Sequence, residues 1–232
     1  MIIALSMRVD IIKEYNEARN AISFDWINLL FSLGIVPVLV PNHQTAPDHF
    51  FKSFDFDGLI LTGGDDIQLA PDDIYNDPSV NPKWDRDSTE YRLLELAIQN
   101  RLPVIGICRG FQLINFFFGG SLTKNIDQIE GVKTDHVRND HEVTIIDQKM
   151  SKLLEINSMV TNSYHNQGVL LKDLAEPLTP FAVTPDGIVV EGFMHEEQPV
   201  MGLMWHPERE YPLQDTTRRI LERFLVKEAQ LL

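Results

Sequence analysis

Short apolar runs closed by Gly or Pro recur through the first half of the chain. Between them lie longer stretches in which apolar residues return every three or four positions. By this pattern "IIALS", "IVPVLVP", "FDGLILTGG" and "LPVIGI" are strands. From Glu14 to Leu33, the residues Ile22, Trp26, Leu29, Leu30 and Leu33 fall at helical spacing, and Gly34 ends the run. Asp87 followed by Glu90 has the spacing of a capping box, ahead of an apolar face made by Tyr91, Leu94, Ala97 and Ile98. "FQLINFFFGG" reads as a helix closed by glycines. Strands alternating with helices predict an α/β fold, a doubly wound and mostly parallel sheet covered on both faces.

The second half changes character. "HEVTIID" alternates, "FAVTPDGIVVEGF" is a hairpin with Asp-Gly at its turn, and "PVMGLMW" is one more strand. The C-terminal stretch predicts an amphipathic helix around Ile220, Phe224 and Leu225. These strands would add an antiparallel margin to the sheet. With no internal repeat, linker or low-complexity tract, residues 1–232 are expected to form one domain.

Composition narrows the function classes. Thirty-four acidic residues against 20 Lys and Arg give a net charge of −14, which argues against nucleic acid as a partner. "IIALSM" has no basic n-region, and no apolar run approaches the ~20 residues of a membrane span, so neither a signal peptide nor a membrane partner is expected. A single cysteine rules out an intramolecular disulfide, and a cytoplasmic location is expected.

That cysteine, Cys108, stands in "IGICRGFQ" between a buried strand and a helix, with Gly106 and Gly110 at i−2 and i+2. Most lone cysteines are inert core residues. Here the small neighbours allow the sharp turn of a nucleophile elbow, and a helix N-terminus favours the thiolate. A thiol nucleophile needs a base. His206, directly after the strand "VMGLMW", would lie on the same sheet edge, and Glu208 could hold its second ring nitrogen. His136 and His141 are a further candidate pair, as metal ligands. No further ligand cluster accompanies them, so no metal site is expected.

With these residues the sequence resembles the class I glutamine amidotransferase superfamily, in particular its gamma-glutamyl-gamma-aminobutyrate hydrolase-like branch of peptidase C26 type. "LTGGDDI", "DRDSTEYRLLELAIQNRLPVIGICRGFQLINFFFGGSL", "HEV", "NSYHNQGV", "DGIVVEGF" and "GLMWHPE" follow the order of that branch along nearly the whole chain. The resemblance implies a flavodoxin-like sheet and a triad of Cys108 as nucleophile, His206 as base and acid, and Glu208 as orienting carboxylate. It implies an oxyanion hole from the amides of Gly64 and Arg109, whose side chain would make only a local ion pair. It also implies a substrate pocket of Gly63, Gln112, Asn162, Ser163, Tyr164 and His165. Two departures stand out: "GGDDIQLAPDDIY" carries about two extra residues, and Asn166 replaces a second histidine.

The expected reaction is hydrolysis of the gamma-glutamyl amide of an N-substituted glutamine through a thioester, with no cofactor. The expected partner is that small substrate, with a homodimer compatible. A glutaminase subunit serving a separate synthetase, and an inactive binding domain, are the competing readings. The acidic cluster Asp65, Asp66, Asp72 and Asp73 would flank the leaving group.

Overall fold

The computed structural model of the chain describes residues 1–67 and 82–227. Strand β1 (Ile2–Ser6) leads into a hairpin of β2 (Arg8–Ile12) and β3 (Glu17–Ala21), followed by α1 (Phe24–Ser32), β4 (Val36–Val40), α2 (Ala46–Ser53) and β5 (Gly58–Leu61). Next come α3 (Pro82–Gln99), β6 (Val104–Ile107) and α4 (Arg109–Phe117). The second half supplies β7 (Thr123–Lys124), β8 (Val137–Ile145), α5 (Gln148–Leu154), β9 (Ser158–Tyr164) and β10 (Gln167–Gly168). It closes with β11 (Leu178–Val183), β12 (Val190–His195), β13 (Val200–Leu203) and α6 (Asp215–Leu221).

Nine of these strands form one sheet in the order β4-β1-β5-β6-β13-β12-β11-β8-β9. From β4 to β13 every neighbour is parallel. From β13 to β9 every neighbour is antiparallel. The expected mostly parallel sheet with an antiparallel margin is what forms. β5, β6 and β13 are buried along their whole length, as strands covered on both faces must be. Their alternate side chains feed two cores. Ile60, Ile105, Ile107 and Leu203 pack with α1 and with Ile220, Phe224 and Leu225 near the C-terminus. Leu59, Leu61, Val104 and Val200 pack with Leu93, Leu94 and Ala97 of α3 and Phe111 and Ile114 of α4. No helix among the described residues is long and apolar enough to cross a membrane.

Two expectations need correction. The helix read from Glu14 to Leu33 begins only at Phe24, after Ser23 in extended conformation. Residues before it form the β2–β3 hairpin, which reverses at Asn16 with φ 48°. The stretch from Glu17 to Asn20 is polar and exposed, so it has no apolar face to bury as a helix. Asp87 and Glu90 do not cap a helix, because α3 starts at Pro82 and both lie inside it. The C-terminal helix is α6, continued by a π-helical turn over Glu222–Lys227. Asp72 and Asp73, with most of the extra-residue segment, lie outside the described residues.

Candidate active site

Cys108 occupies the junction of β6 and α4 with φ 50° and ψ −98°, a conformation that costs a non-glycine residue about 1–3 kcal/mol. Neighbouring backbone holds it there. Its amide donates to the Leu203 carbonyl at 2.8 Å, and its own carbonyl accepts from the Gln112 amide at 3.1 Å. The flanking glycines are sterically required. A Cβ on Gly106 would lie 2.5 Å from the Gly110 carbonyl carbon, and one on Gly110 would lie 2.3 Å from the Leu61 oxygen. The helix therefore starts against the sheet, with the thiol at its N-terminus and Cys108 only 6% exposed.

His206 arrives from the neighbouring strand. β13 pairs with β6 in parallel, Leu203 opposite Ile107, so both chains leave the sheet at the same level. His206 Nδ1 and Glu208 Oε1 are 2.6 Å apart, with both side chains buried. Burial alone would lower the imidazole pKa, but its hydrogen bond and charge interaction with Cys108, and those with Glu208, raise it to about 9. Because Glu208 takes Nδ1, the other nitrogen, Nε2, is left for the thiol. The His206 backbone is held as well: Asn162 Oδ1 accepts its N–H and Asn162 Nδ2 donates to its carbonyl, both at 2.9 Å. The Tyr164 ring stands edge-on to the imidazole, centroids 5.6 Å apart, under the Arg209 guanidinium. A Cβ on Gly63 would come within 2.7 Å of His206 Cε1, so only glycine lets the strand-end loop approach so closely.

A buried ion network supports that loop. Arg86 Nη2 donates to the carbonyls of Thr62 and Gly63, both at 2.9 Å, while its Nε donates to Glu90 Oε1 at 2.9 Å. Glu90 also accepts from Ser6 Oγ and from Arg109, and Arg109 reaches Asp87. Burial would raise the Glu90 pKa, yet the two guanidiniums hold it below the usual carboxylate value. Arg86 pays most for the crowding: burial and then Arg109 repulsion bring it down to about 10. The network has a directional consequence. In a trans peptide the C=O and N–H point opposite ways, so Arg86 on the Gly63 oxygen turns the Gly64 N–H away from Arg86. The Arg109 N–H belongs to the first turn of α4, which has no partner within the helix. The side chain expected to make a local ion pair thus joins the two amides expected to bind an oxyanion.

The remaining expected pocket residues are engaged by backbone. Gln112 Nε2 donates to the Gln167 carbonyl at 2.7 Å, and Ser163 Oγ donates to the His136 carbonyl at 2.7 Å. His165 Nδ1 lies 3.2 Å from the Gln167 carbonyl. Asn166 turns to Asn125 at 2.9 Å. Of the "NSYH" residues, the structure brings Asn162 and Tyr164 against His206. A cleft of about 260 Å³ opens beside them, lined by Arg8, Ile22, Trp26, Thr62, Gly63 and His206. Arg8 and Ile22 come from the hairpin and its exit, which the sequence pattern missed. Asp65 and Asp66 line an adjacent crevice with Val9, Arg86 and Arg109.

The histidines set aside as lacking companions do have them. His136, His141 and His165 surround Glu191, all buried. Burial and then the neighbouring His141 lower the His136 pKa to about 4, and burial keeps His165 well below its usual value. Burial raises the Glu191 pKa. His165 and Glu191 are remote in sequence from His136 and His141, and only the pairing of β8 with β9 and the fold of β12 unite them.

The parallel half-sheet thus carries the elbow and the strand-end histidine at one edge. The Peptidase C26 family model matches residues 2–208, and the chain belongs to that family. It is 27% identical over 211 residues to the gamma-glutamyl-CDP-amidate hydrolase of Campylobacter jejuni, covering 90% of this chain and 91% of that protein. It is also 27% identical over 228 residues to the gamma-glutamyl-gamma-aminobutyrate hydrolase of Escherichia coli O157:H7, covering 90% and 86%. Among solved structures, the glutaminase domain of Trypanosoma brucei CTPS with bound acivicin superposes with a TM-score of 0.69 at 15% identity, covering 98% of this chain and 94% of that one.

Proposed function

We propose that this protein hydrolyses the gamma-glutamyl amide bond of an N-substituted glutamine by cysteine catalysis. The observation that carries the reading is the buried line of Cys108, His206 and Glu208 at the ends of two paired central strands. Cys108 sulfur attacks the side-chain carbonyl carbon while His206 Nε2 already holds the proton of the Cys–His pair. The resulting oxyanion is held by the amides of Gly64 and Arg109, which the Arg86–Glu90–Arg109 network orients. His206 then protonates the departing nitrogen as the C–N bond breaks, leaving a gamma-glutamyl thioester. Water gives a proton to His206 and attacks the thioester, which releases glutamate and restores the Cys–His pair. No step calls for a metal or organic cofactor.

The glutamyl assignment rests on the two named gamma-glutamyl hydrolases, which span nearly the same length as this chain. Tyr164, beside His206 and 45% exposed, and the cleft under the hairpin are the substrate contacts this reading favours. Gly63, against His206 in the same cleft, is the further contact on the nucleophile side. The test is glutamate release by the isolated chain from a panel of gamma-glutamyl amides, with glutamine and an alpha-linked glutamyl amide as controls. An N-substituted gamma-glutamyl amide should be the best substrate and the alpha-linked compound poor. If glutamine is preferred, or if cleavage begins only when a second protein is added, the glutaminase-subunit reading replaces this one.

A further inference from the structure

Behind the catalytic edge, four side chains from three strands converge on one point. His136 precedes β8, His141 lies within it, His165 follows β9 and Glu191 is in β12. Glu191 Oε1 lies 3.4 Å from His136 Nδ1, 3.5 Å from His141 Nε2 and 3.9 Å from His165 Nε2. None of these contacts has the geometry of a well-formed hydrogen bond, although His141 and Glu191 attract one another. Both ring nitrogens of His136, both of His141, His165 Nε2 and Glu191 Oε1 are buried with no hydrogen-bond partner. A buried polar atom left unsatisfied costs about 1–3 kcal/mol, so six together are a poor core and call for a common partner. A cation among them would take one donor atom from each of His136, His165 and Glu191.

The spacing fits an ion. Four ligand atoms about 2.0–2.2 Å from a tetrahedral Zn²⁺ lie roughly 3.4 Å from one another. Glu191 Oε1 has that separation from His136 at 3.4 Å and lies 3.9 Å from His165, so the three ligands would close inward on an ion. Donor atoms of His136, His165 and Glu191 all lie within 4.8 Å of one another. Imidazole nitrogens with one carboxylate suit Zn²⁺ better than the hard ions Mg²⁺ and Ca²⁺, which take oxygen ligands. We propose that His136, His165 and Glu191 form a structural site for one divalent transition-metal ion, Zn²⁺ by preference, with His141 beside Glu191. The ion takes no part in the hydrolysis. It ties β8, β9 and β12 together where they brace the base, because Asn162 of β9 grips His206 and the Glu191 carbonyl accepts the Met204 amide at 2.8 Å.

The test must separate this site from the triad, since Cys108 and His206 could also take up zinc. The full chain is loaded with Zn²⁺ or Co²⁺, desalted and assayed for metal by mass spectrometry, alongside Cys108→Ala, His136→Ala and Glu191→Gln. About one ion per chain is expected in the wild type and in Cys108→Ala, with affinity lowered at least about tenfold in the other two. The Co²⁺ form of the wild type should show visible d–d bands without a thiolate charge-transfer band, a readout independent of whether the variants fold. Failure of the folded wild type to retain metal would overturn the proposal. So would a thiolate band, metal lost in Cys108→Ala alone, or metal kept undiminished in folded His136→Ala and Glu191→Gln. Glutamate release, measured separately, decides the hydrolase reading and leaves this outcome untouched.

Discussion

Asn162 holds His206 by both sides of its backbone, one carboxamide accepting the N–H and donating to the C=O at 2.9 Å each. A residue expected from resemblance to contact substrate is thereby placed to position the base. Asn162→Ala should lower kcat by about 10–100-fold through misplacement of the imidazole while changing KM little. A rise in KM with kcat preserved would return Asn162 to the substrate pocket.

Cys108 is the larger of the two influences that raise the His206 pKa, ahead of Glu208. Removing it leaves burial as the largest influence, so in Cys108→Ala the His206 titration, followed by NMR, should fall from about 9. Turnover should vanish with the fold intact, and the wild type treated with a slow gamma-glutamyl substrate should carry an adduct on Cys108. The raised pKa also sets a sign for stability. A cationic group with pKa raised on folding stabilises fully below its unfolded value of 6.5, and loses that contribution as pH climbs to about 9. The wild type should therefore lose stability relative to Cys108→Ala across this range, which denaturant titrations at several pH values would measure.

In the proposed mechanism Glu208 orients and stabilises the imidazolium but does not react. Glu208→Gln should cost less kcat than loss of either Cys108 or His206. A Cys108/His206 double variant should be little worse than either single one, because residues acting as a unit are not additive. Stopped-assay rates for the four variants suffice to decide it.

Glu90 lies at the centre of the network joining Arg86 and Arg109. Glu90→Ala leaves two buried guanidiniums without their shared partner, and breaking a buried pair costs about 3–5 kcal/mol. A large drop in Tm is expected, with kcat lower in the fraction still folded because the Gly63 carbonyl loses its anchor. Thermal denaturation and single-turnover kinetics report the two effects separately.

Glu210 offers a second pH signature. Burial first, and then the Glu208 charge, raise its pKa from 4.5 to about 7. An acid with a raised folded pKa destabilises as pH rises between those values and no further above them. Glu210→Gln should flatten that decline, visible as a Tm gain over wild type near neutral pH that shrinks in acid.

Much of the sheet was legible because each central strand is a local apolar run and each covering helix a periodic one. The junction at Cys108 was legible for the same reason, since Gly106 and Gly110 record in sequence a close approach of helix to sheet. The β2–β3 hairpin was not, because Ile22 continues the helical spacing of Trp26 and Leu29 while belonging to the segment before the helix. The ion network was misread because Asp87 and Glu90 match a capping spacing, and their true partner, Arg109, comes from another helix. The histidine cluster depends wholly on strand pairing, which spacing along one chain does not encode. A sequence signal was available in the buried-looking alternation around His141 and Glu191, where charged or ionisable side chains take inward positions.

β13 is among the last strands of the chain, yet it lies in the middle of the sheet, between β6 and β12. During synthesis the nucleophile's strand is made well before the base's strand, and β6 waits with one edge unpaired until residues 200–203 emerge. Closing that gap joins segments about a hundred residues apart, the kind of distant pairing that slows folding. It also means that a nascent chain holding Cys108 lacks its base until the sheet is nearly whole. Catalytic competence is born late, in the same event that seals the core.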